Sequence, residues 1–491
     1  MTDELLDLDP KLNRCPDQVN SIHLIGICGT AMAALAGMLK ERGYRVSGSD
    51  AQVYPPMSDF LGHIDIEVHS GYRPENIGAD TDLVIVGNVV SRPNPEAQAL
   101  ARLKLPYISL PQALSHFYLE AKRSLVVAGT HGKTTTSAML ASALFSVGSD
   151  PGFMIGGILR SFKANYRIGE GDFFICEGDE YDTAFFDKES KFLHYQPSVA
   201  IITSLEFDHA DIFADLEQIK RSFRKFVKLL PPDGLIIANC EDKNVAEVIA
   251  GARCEVQSYG LATGSDWQLM APSYTNEHTS CELHFRGSPF MKLVLRQPGF
   301  YNCLNGAAVA AVMHHLGFEP AAIAEGLKTF DGVKRRQEIR GVINGITVID
   351  DFAHHPTAVR ETLQGLKRMY DDRRLVAVFE PRTNTSRRSF FQQDYAGAFA
   401  AADLSLIRRV SEDKPIDADD CFSSEKLAED LSRAGQQAAA FDDTDQILEH
   451  LEHISRPGDV IAILSNGGFD NIHERLLDRL SRKFSGAAQS R

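Results

Sequence analysis

The run Gly129-Thr-His-Gly-Lys-Thr-Thr135 brings together the residue types that grip phosphate. It follows the apolar segment 125–128 and precedes a helical pattern that begins at Lys133. Backbone N–H groups in a glycine turn, aimed by a helix N-terminus, cradle phosphate oxygens. In such a loop Lys133 reaches the β and γ phosphates and the Thr134 hydroxyl ligates Mg²⁺. Val127 stands where the general pattern wants a first glycine, so the loop is a shortened one, 129–134. The expected cofactor is ATP with Mg²⁺.

Carboxylates extend this chemistry. Glu177 directly follows the apolar run 173–176 and opens Glu-Gly-Asp-Glu-Tyr-Asp182. An acid at a strand end beside a phosphate loop is placed to hold Mg²⁺; a solvated acidic loop is the alternative. Glu206-Phe-Asp-His-Ala-Asp211 follows segment 199–205 in the same way, with His209 between acids. Asn302 and Asn305 open a helix, where asparagine either caps the backbone or presents amides to an adenine or ribose. Lys334-Arg-Arg336 and Asp350-Asp-Phe-Ala-His-His-Pro356 read either as a solvated hinge or as a clamp that meets the γ-phosphate.

A second turn, Gly26-Ile-Cys-Gly-Thr-Ala-Met32, follows strand 22–27, and Ser49-Asp50 ends the next strand. It approximates the dinucleotide fingerprint, but Met32 stands where the third glycine would. A different diphosphate, such as a nucleotide sugar, suits Cys28, Gly29, Thr30, Ala31, Met32, Ser49 and Asp50. A plain strand–turn–helix connection is the alternative. Arg382, Arg387 and Arg388 follow a strand in the last third, where parallel sheets bind ligands. They suit an anionic ligand, or a solvated helix start.

The elements that must position these residues alternate between strand and helix. Strands at 22–27, 45–48 and 83–87 enclose helix 31–42, and a helical stretch at 117–122 leads to a boundary near Ala121. Strands at 173–176, 199–205 and 235–238 precede antiparallel strands within 267–296 and helices 302–316 and 320–330. From 346 the pattern restarts, with strand 346–350, helix 356–369, strand 375–379, a helix near 390–400, and strands 404–407 and 460–464. The expectation is an α/β chain of three domains. A Rossmann-like domain at 21–121 follows an extension at 1–20. A P-loop ATPase domain occupies 122–332, and a second Rossmann-like domain 333–491.

Bulk properties agree. A chain of 491 residues suggests about three domains. Its net charge of −15 supplies no phosphate-neutralising excess, which argues against a nucleic-acid partner. No run approaches the roughly 18 apolar residues of a membrane span. Residues 1–9 are acidic and do not read as a signal peptide. Eight cysteines without C-x-x-C spacing suit reduced thiols in a cytoplasm.

Six motifs in order resemble the Mur ligase superfamily, ATP-dependent amide-bond formers of peptidoglycan metabolism. They are Gly-Thr-His-Gly-Lys-Thr-Thr (129–135), Glu-Gly-Asp-Glu-Tyr-Asp (177–182), Asp-His-x-Asp (208–211), Gly-x-x-Asn-x-x-Asn (299–305), Gly-x-x-Arg-Arg (332–336) and Asp-Asp-x-x-His-His-Pro (350–356). The resemblance implies that Thr134 and Glu177 bind one Mg²⁺ and His209 a second. It implies that Gly129, Thr130, His131, Gly132, Lys133 and Thr135 cradle ATP, that Asn302 and Asn305 contact it, and that Arg336 and Asp351 reach its phosphates or ribose. Lys133, Glu177, His209 and Arg336 are then the catalytic set, and turn 26–32 holds a UDP diphosphate.

Two branches of that family couple an amine to the lactyl carboxylate of UDP-N-acetylmuramic acid through an acyl phosphate. One takes L-alanine, the other a recovered tripeptide, L-Ala-γ-D-Glu-meso-diaminopimelate. Segments 26–32, 49–58 and 465–473 resemble the second branch, with Arg382 as a peptide contact; the first remains the alternative. Arg224 and Lys225 fall where several relatives carry a carbamylated lysine, and none is expected here. Gly332 is the expected hinge.

Overall fold

A computed structural model describes residues 5–54, 57–208, 212–213, 215–382, 386–410 and 421–488. Three principal sheets organise them. The first is all parallel, in the order Glu67–Ser70, Arg45–Asp50, Ser21–Ile25, Leu83–Val86, Tyr107–Ser109. Leu83–Val86 is buried along its length, which is why it reads as unbroken apolar sequence. The chain reverses direction across this sheet between Ser21–Ile25 and Leu83–Val86, the switch point where such sheets open a ligand crevice. Turn 26–32 lies there.

The central sheet has ten strands, and Arg123–Ala128 lies inside it between Val199–Ile202 and Phe173–Gly178. That register sets Val127 beside Glu177 and so brings the acid to the mouth of the phosphate loop. The helix Lys133–Ser146 has no polar face to speak of. It is buried between the sheet and the helices Phe300–His315 and Pro320–Lys328, as an all-round apolar helix must be. The strand expected to reach residue 205 stops at Ile202. Beyond it the backbone leaves the sheet to brace the phosphate loop: Thr130 N–H donates to Ser204 O (2.9 Å) and His131 N–H to Ser204 Oγ (3.0 Å). The helical stretch expected at 117–122 is instead the helix Leu110–Leu114, which runs on as a π-helical turn Ser115–Leu119. A capping box of Ser109 and Gln112, with Pro111 in the first turn, starts it early.

The third sheet runs Glu338–Ile343, Ile346–Asp351, Val460–Leu464, Leu375–Phe379, Leu404–Arg408, Gln437–Phe441, with only the first pair antiparallel. Its helix Pro356–Met369 docks on the start of Phe300–His315 through two glycines. A Cβ on Gly365 would lie 2.8 Å from Gly299 Cα, so the approach exists only because both lack side chains.

The linker between these parts is tied down around the expected hinge. Arg160 N–H donates to Gly332 O (3.1 Å) and Lys334 N–H to Ile158 O (2.9 Å). The turn into the third sheet falls on Arg335 and Gln337, both left-handed (φ 61° and 50°). Among the described residues no helix is long and apolar enough to cross a membrane.

Candidate active site

One cavity of about 1300 Å³ is lined by all three parts of the chain. From the first sheet it receives Gly29, Thr30, Ala31 and Met32, from the centre Thr130 to Thr135 and Glu177, and from the third part Arg336, Asp351 and His355. Asn302 and Asn305 line it as well. Residues expected on separate loops therefore face one space.

The phosphate loop owes its shape to glycine. Gly129 has φ +133°, and a Cβ there would sit 2.1 Å from Thr203 Oγ1. Gly132 is the left-handed N-cap of the helix (φ +83°), so the first helical N–H groups point into the cavity without a side-chain cap. Lys133 follows. Its Nζ donates to Gly129 O (2.6 Å) and Glu180 Oε2 (2.9 Å), folded back across the cradle. Burial alone would lower this ammonium, but Glu180 and Asp179 outweigh it and hold the group charged.

Thr134 Oγ1 donates to Glu177 Oε2 (3.1 Å), and Gly156 N–H donates to Glu177 Oε1 (2.6 Å). Burial raises the Glu177 carboxyl above its ordinary range, and the Gly156 amide, Lys133 and Arg336 offset only part of that. The pair of hard oxygens at the helix start is a donor set suited to Mg²⁺. Arg336 Nη2 lies 3.5 Å from Thr134 Oγ1, with its guanidinium 4.7 Å from the centre of the Phe352 ring.

Asn302 does not cap its helix; Gly299 does, at φ +95°. Asn302 Nδ2 donates instead to Pro298 O (2.7 Å) and Gln337 Oε1 (3.2 Å), and Asn305 Nδ2 to Asn302 Oδ1 (3.3 Å). Asp351 accepts the amides of Gln337 and Ala353 at 2.8 Å each. Burial raises its carboxyl, partly offset by Arg336.

Other expected residues stand elsewhere. Ser49 is fully buried and donates its hydroxyl to Glu96, which also accepts Asn76 Nδ2 (2.6 Å) and faces His23. Its hydroxyl is committed to this buried cluster, and Ser49 does not line the cavity. Asp50 accepts the Cys28 amide (2.9 Å) and so shapes the turn from behind, and neither Cys28 nor Asp50 lines the cavity. Arg382 is exposed against Gly467, outside the cavity, while Arg387 is buried. His209 lies outside the described residues. Lys225 pairs with Glu189 (2.6 Å) on an exposed helix face.

Sequence reasoning gave Glu180 no role of its own within its motif and passed over Gly156 and Thr357. Thr357 Oγ1 donates to Glu206 Oε2 (2.8 Å) across 151 positions of chain, and no local pattern marks such a contact. The Gly156-Gly157 pair inside a strand was the one available signal of close approach to the loop.

Comparison with known proteins bears directly on this arrangement. Three family models match in order: Mur ligase family, catalytic domain, over residues 21–122; Mur ligase middle domain over 127–313; and Mur ligase, glutamate ligase domain, over 335–467. The chain is 39% identical to the UDP-N-acetylmuramate–L-alanyl-γ-D-glutamyl-meso-2,6-diaminoheptandioate ligase of Escherichia coli (strain K12), over 95% of this chain and 99% of that one. The chain belongs to the Mur ligase family. It is 33% identical to a UDP-N-acetylmuramate–L-alanine ligase of Carboxydothermus hydrogenoformans, over 95% of this chain and 98% of the relative. The crystal structure of a murein peptide ligase from Psychrobacter arcticus 273-4 matches with a TM-score of 0.69 and 34% identity, covering 94% and 99%. As a Mur ligase, the chain is an enzyme that forms amide bonds, with the mixed α/β architecture of its relatives.

Proposed function

We propose that this Mur ligase uses ATP and Mg²⁺ to join L-Ala-γ-D-Glu-meso-diaminopimelate to UDP-N-acetylmuramic acid, in peptidoglycan recycling. The observation that carries the reading is the shared cavity, in which turn 26–32 and the phosphate loop face each other. The choice of acceptor rests on the 39% identity to the tripeptide-adding relative against 33% for an alanine-adding one. We divide the chain accordingly at 21–121, 122–332 and 333–491.

The lactyl carboxylate attacks the γ-phosphorus, and the phosphate–phosphate bond breaks to give an acyl phosphate and ADP. The deprotonated α-amine of the tripeptide then attacks the acyl carbon, and phosphate leaves. The helix N-terminus at Gly132 and the Lys133 ammonium neutralise the transferred phosphate, with Arg336 approaching from the C-terminal side. Lys133 leaves Glu180 to do so. Thr134 and Glu177 would hold Mg²⁺, which supplies further charge neutralisation on the phosphates when bound. Asn302, Asn305 and Asp351 are assigned to the nucleotide. The resemblance gives His209 a second metal.

The test is ADP release with UDP-N-acetylmuramic acid, ATP and Mg²⁺, comparing tripeptide with L-alanine. A strong preference for tripeptide is expected. Preference for L-alanine would move the chain to the biosynthetic branch, and silence with both would overturn the reading.

A further inference from the structure

Beside the phosphate loop lies a second group of ligand-type side chains, of which only His131, as part of the ATP cradle, has a role above. His131 belongs to the loop, Glu206 to the strap that braces it, and His355 caps the helix Pro356–Met369 of the C-terminal part. His131 Nε2 stands 3.1 Å from Glu206 Oε2, and His355 Nδ1 stands 3.5 Å from the same oxygen. The imidazole centroids are 4.6 Å apart, and one ligand atom from each of the three residues lies within 4.8 Å of the others.

Those spacings have a chemical meaning. Two ligand bonds of about 2.05 Å meeting at a tetrahedral angle put their donor atoms about 3.3 Å apart. Two of the three donor–donor separations, 3.1 and 3.5 Å, bracket that edge, and the third lies within 4.8 Å. Two imidazoles and one carboxylate are borderline donors that favour Zn²⁺ and its first-row neighbours. The oxygen pair Thr134 and Glu177 favours Mg²⁺ instead, so the two sites differ in donor chemistry.

The hydrogen bonding adds an independent observation. His355 Nδ1 accepts the backbone N–H of Thr357 (3.3 Å), as a helix N-cap does, and therefore carries no proton of its own. It nevertheless faces the Glu206 carboxylate, acceptor towards acceptor. Its other nitrogen, Nε2, is buried with no hydrogen-bond partner among the described residues. A cation between Nδ1 and Glu206 takes the single Nδ1 lone pair in place of the Thr357 N–H and removes the acceptor–acceptor contact. Thr357 Oγ1, donating to Glu206 Oε2 at 2.8 Å, orients the carboxylate from outside, the usual support for a metal ligand.

We propose that His131, Glu206 and His355 form a transition-metal site of the Zn²⁺ class that bridges the phosphate loop and the C-terminal part. All three residues line the cavity, which leaves the fourth coordination position facing the space shared with substrate. Occupancy ties the loop to the helix Pro356–Met369 and holds the two parts in the closed arrangement. Metal binding at this site requires no turnover, so it stands or falls apart from the ligase reading.

The test uses the full chain with excess Mg²⁺ and no nucleotide, titrated with Co²⁺ and read by the visible absorption of low-coordinate Co²⁺. One saturable equivalent, displaced by Zn²⁺, is expected. Glu206→Gln and His355→Asn should each abolish the band; asparagine keeps a helix N-cap, so the second variant is expected to fold. His131→Asn, checked by circular dichroism, serves where either fails to fold. Thr357→Val should weaken binding about tenfold, as loss of an outer-shell partner does. Glu177→Gln should leave the band unchanged. Absence of the band in the parent chain, its survival in folded Glu206→Gln and His355→Asn proteins, or its loss in Glu177→Gln would each overturn the site.

Discussion

The chain builds nearly the same local object twice and equips it differently. Turn 26–32 and loop 129–135 both leave an inner parallel strand and enter a helix, Thr30–Glu41 in one case and Lys133–Ser146 in the other. Both open into the same cavity. Around the second stand Lys133, Glu177, Glu180 and Arg336, whereas the first presents Thr30, Ala31 and Met32, and a nearby acid, Asp50, is occupied by the Cys28 amide. The backbone of a glycine turn binds phosphate oxygens in general. The side chains decide whether the phosphate is merely held or transferred.

The sharpest way to break that contrast is to remove the charge. Lys133→Ala should lower ADP release on the order of 10³-fold or more, the scale seen when a cation is taken from a phosphoryl-transfer site. A variant that keeps its rate would reduce the second turn to a binding site like the first. Glu177→Gln should cost somewhat less, about 10²-fold, and should raise the Mg²⁺ concentration required for half-maximal rate; an unchanged Mg²⁺ requirement would detach Glu177 from the metal. In both experiments EDTA should stop turnover.

Two further changes sharpen the comparison by acting on scaffolding. Gly365→Ala would press a Cβ to within 2.8 Å of Gly299 Cα, a backbone contact with no flexible side chain to yield. Thermal unfolding of this variant should reveal a loss of about 1–3 kcal/mol, accompanied by a lower rate, if the closed arrangement is the active one. Ser49→Ala removes a hydroxyl from a buried carboxylate and should cost about 1–3 kcal/mol of stability with kcat unchanged. A raised KM for UDP-N-acetylmuramic acid at equal stability would return Ser49 to the ligand.

The smallest effect concerns pH. Burial would raise the Glu206 carboxyl, but hydrogen bonds from His131 and Thr357 hold it down at about 2. A depressed carboxyl contributes stability that is present above its unfolded value of about 4.5 and lost as pH falls towards 2. Acid unfolding of Glu206→Gln should therefore be less steep between those limits than that of the parent. His355 acts over a higher window: burial, with His131 adjacent, lowers it from its usual 6.5 to about 3, so holding it neutral costs stability progressively as pH falls from about 6.5 towards 3.

Much of the fold was legible because its signals are local. The helix Pro356–Met369 and the strands Leu375–Phe379 and Val460–Leu464 fall on the residues that periodicity and proline placement indicated. The end of Val199–Ile202 was misplaced because Thr203, Ser204 and Leu205 look like strand residues. What removes them from the sheet is a set of bonds to a loop more than 70 positions earlier in the chain. Glu338–Ile343 was missed for a related reason: an edge strand with half-buried, partly polar residues carries little apolar signal.

Sequence by itself determined the phosphate loop, since a strand, two glycines, a lysine and a threonine in eleven residues specify both its backbone and its charge. It also determined the family, through motifs whose order is a property of the chain. Tertiary structure alone decided that Ser49 is interior, that Glu180 holds Lys133, and that His131, Glu206 and His355 meet. Those outcomes depend on how sheets stack and how the C-terminal part docks, and packing over such separations leaves no periodicity in sequence to read.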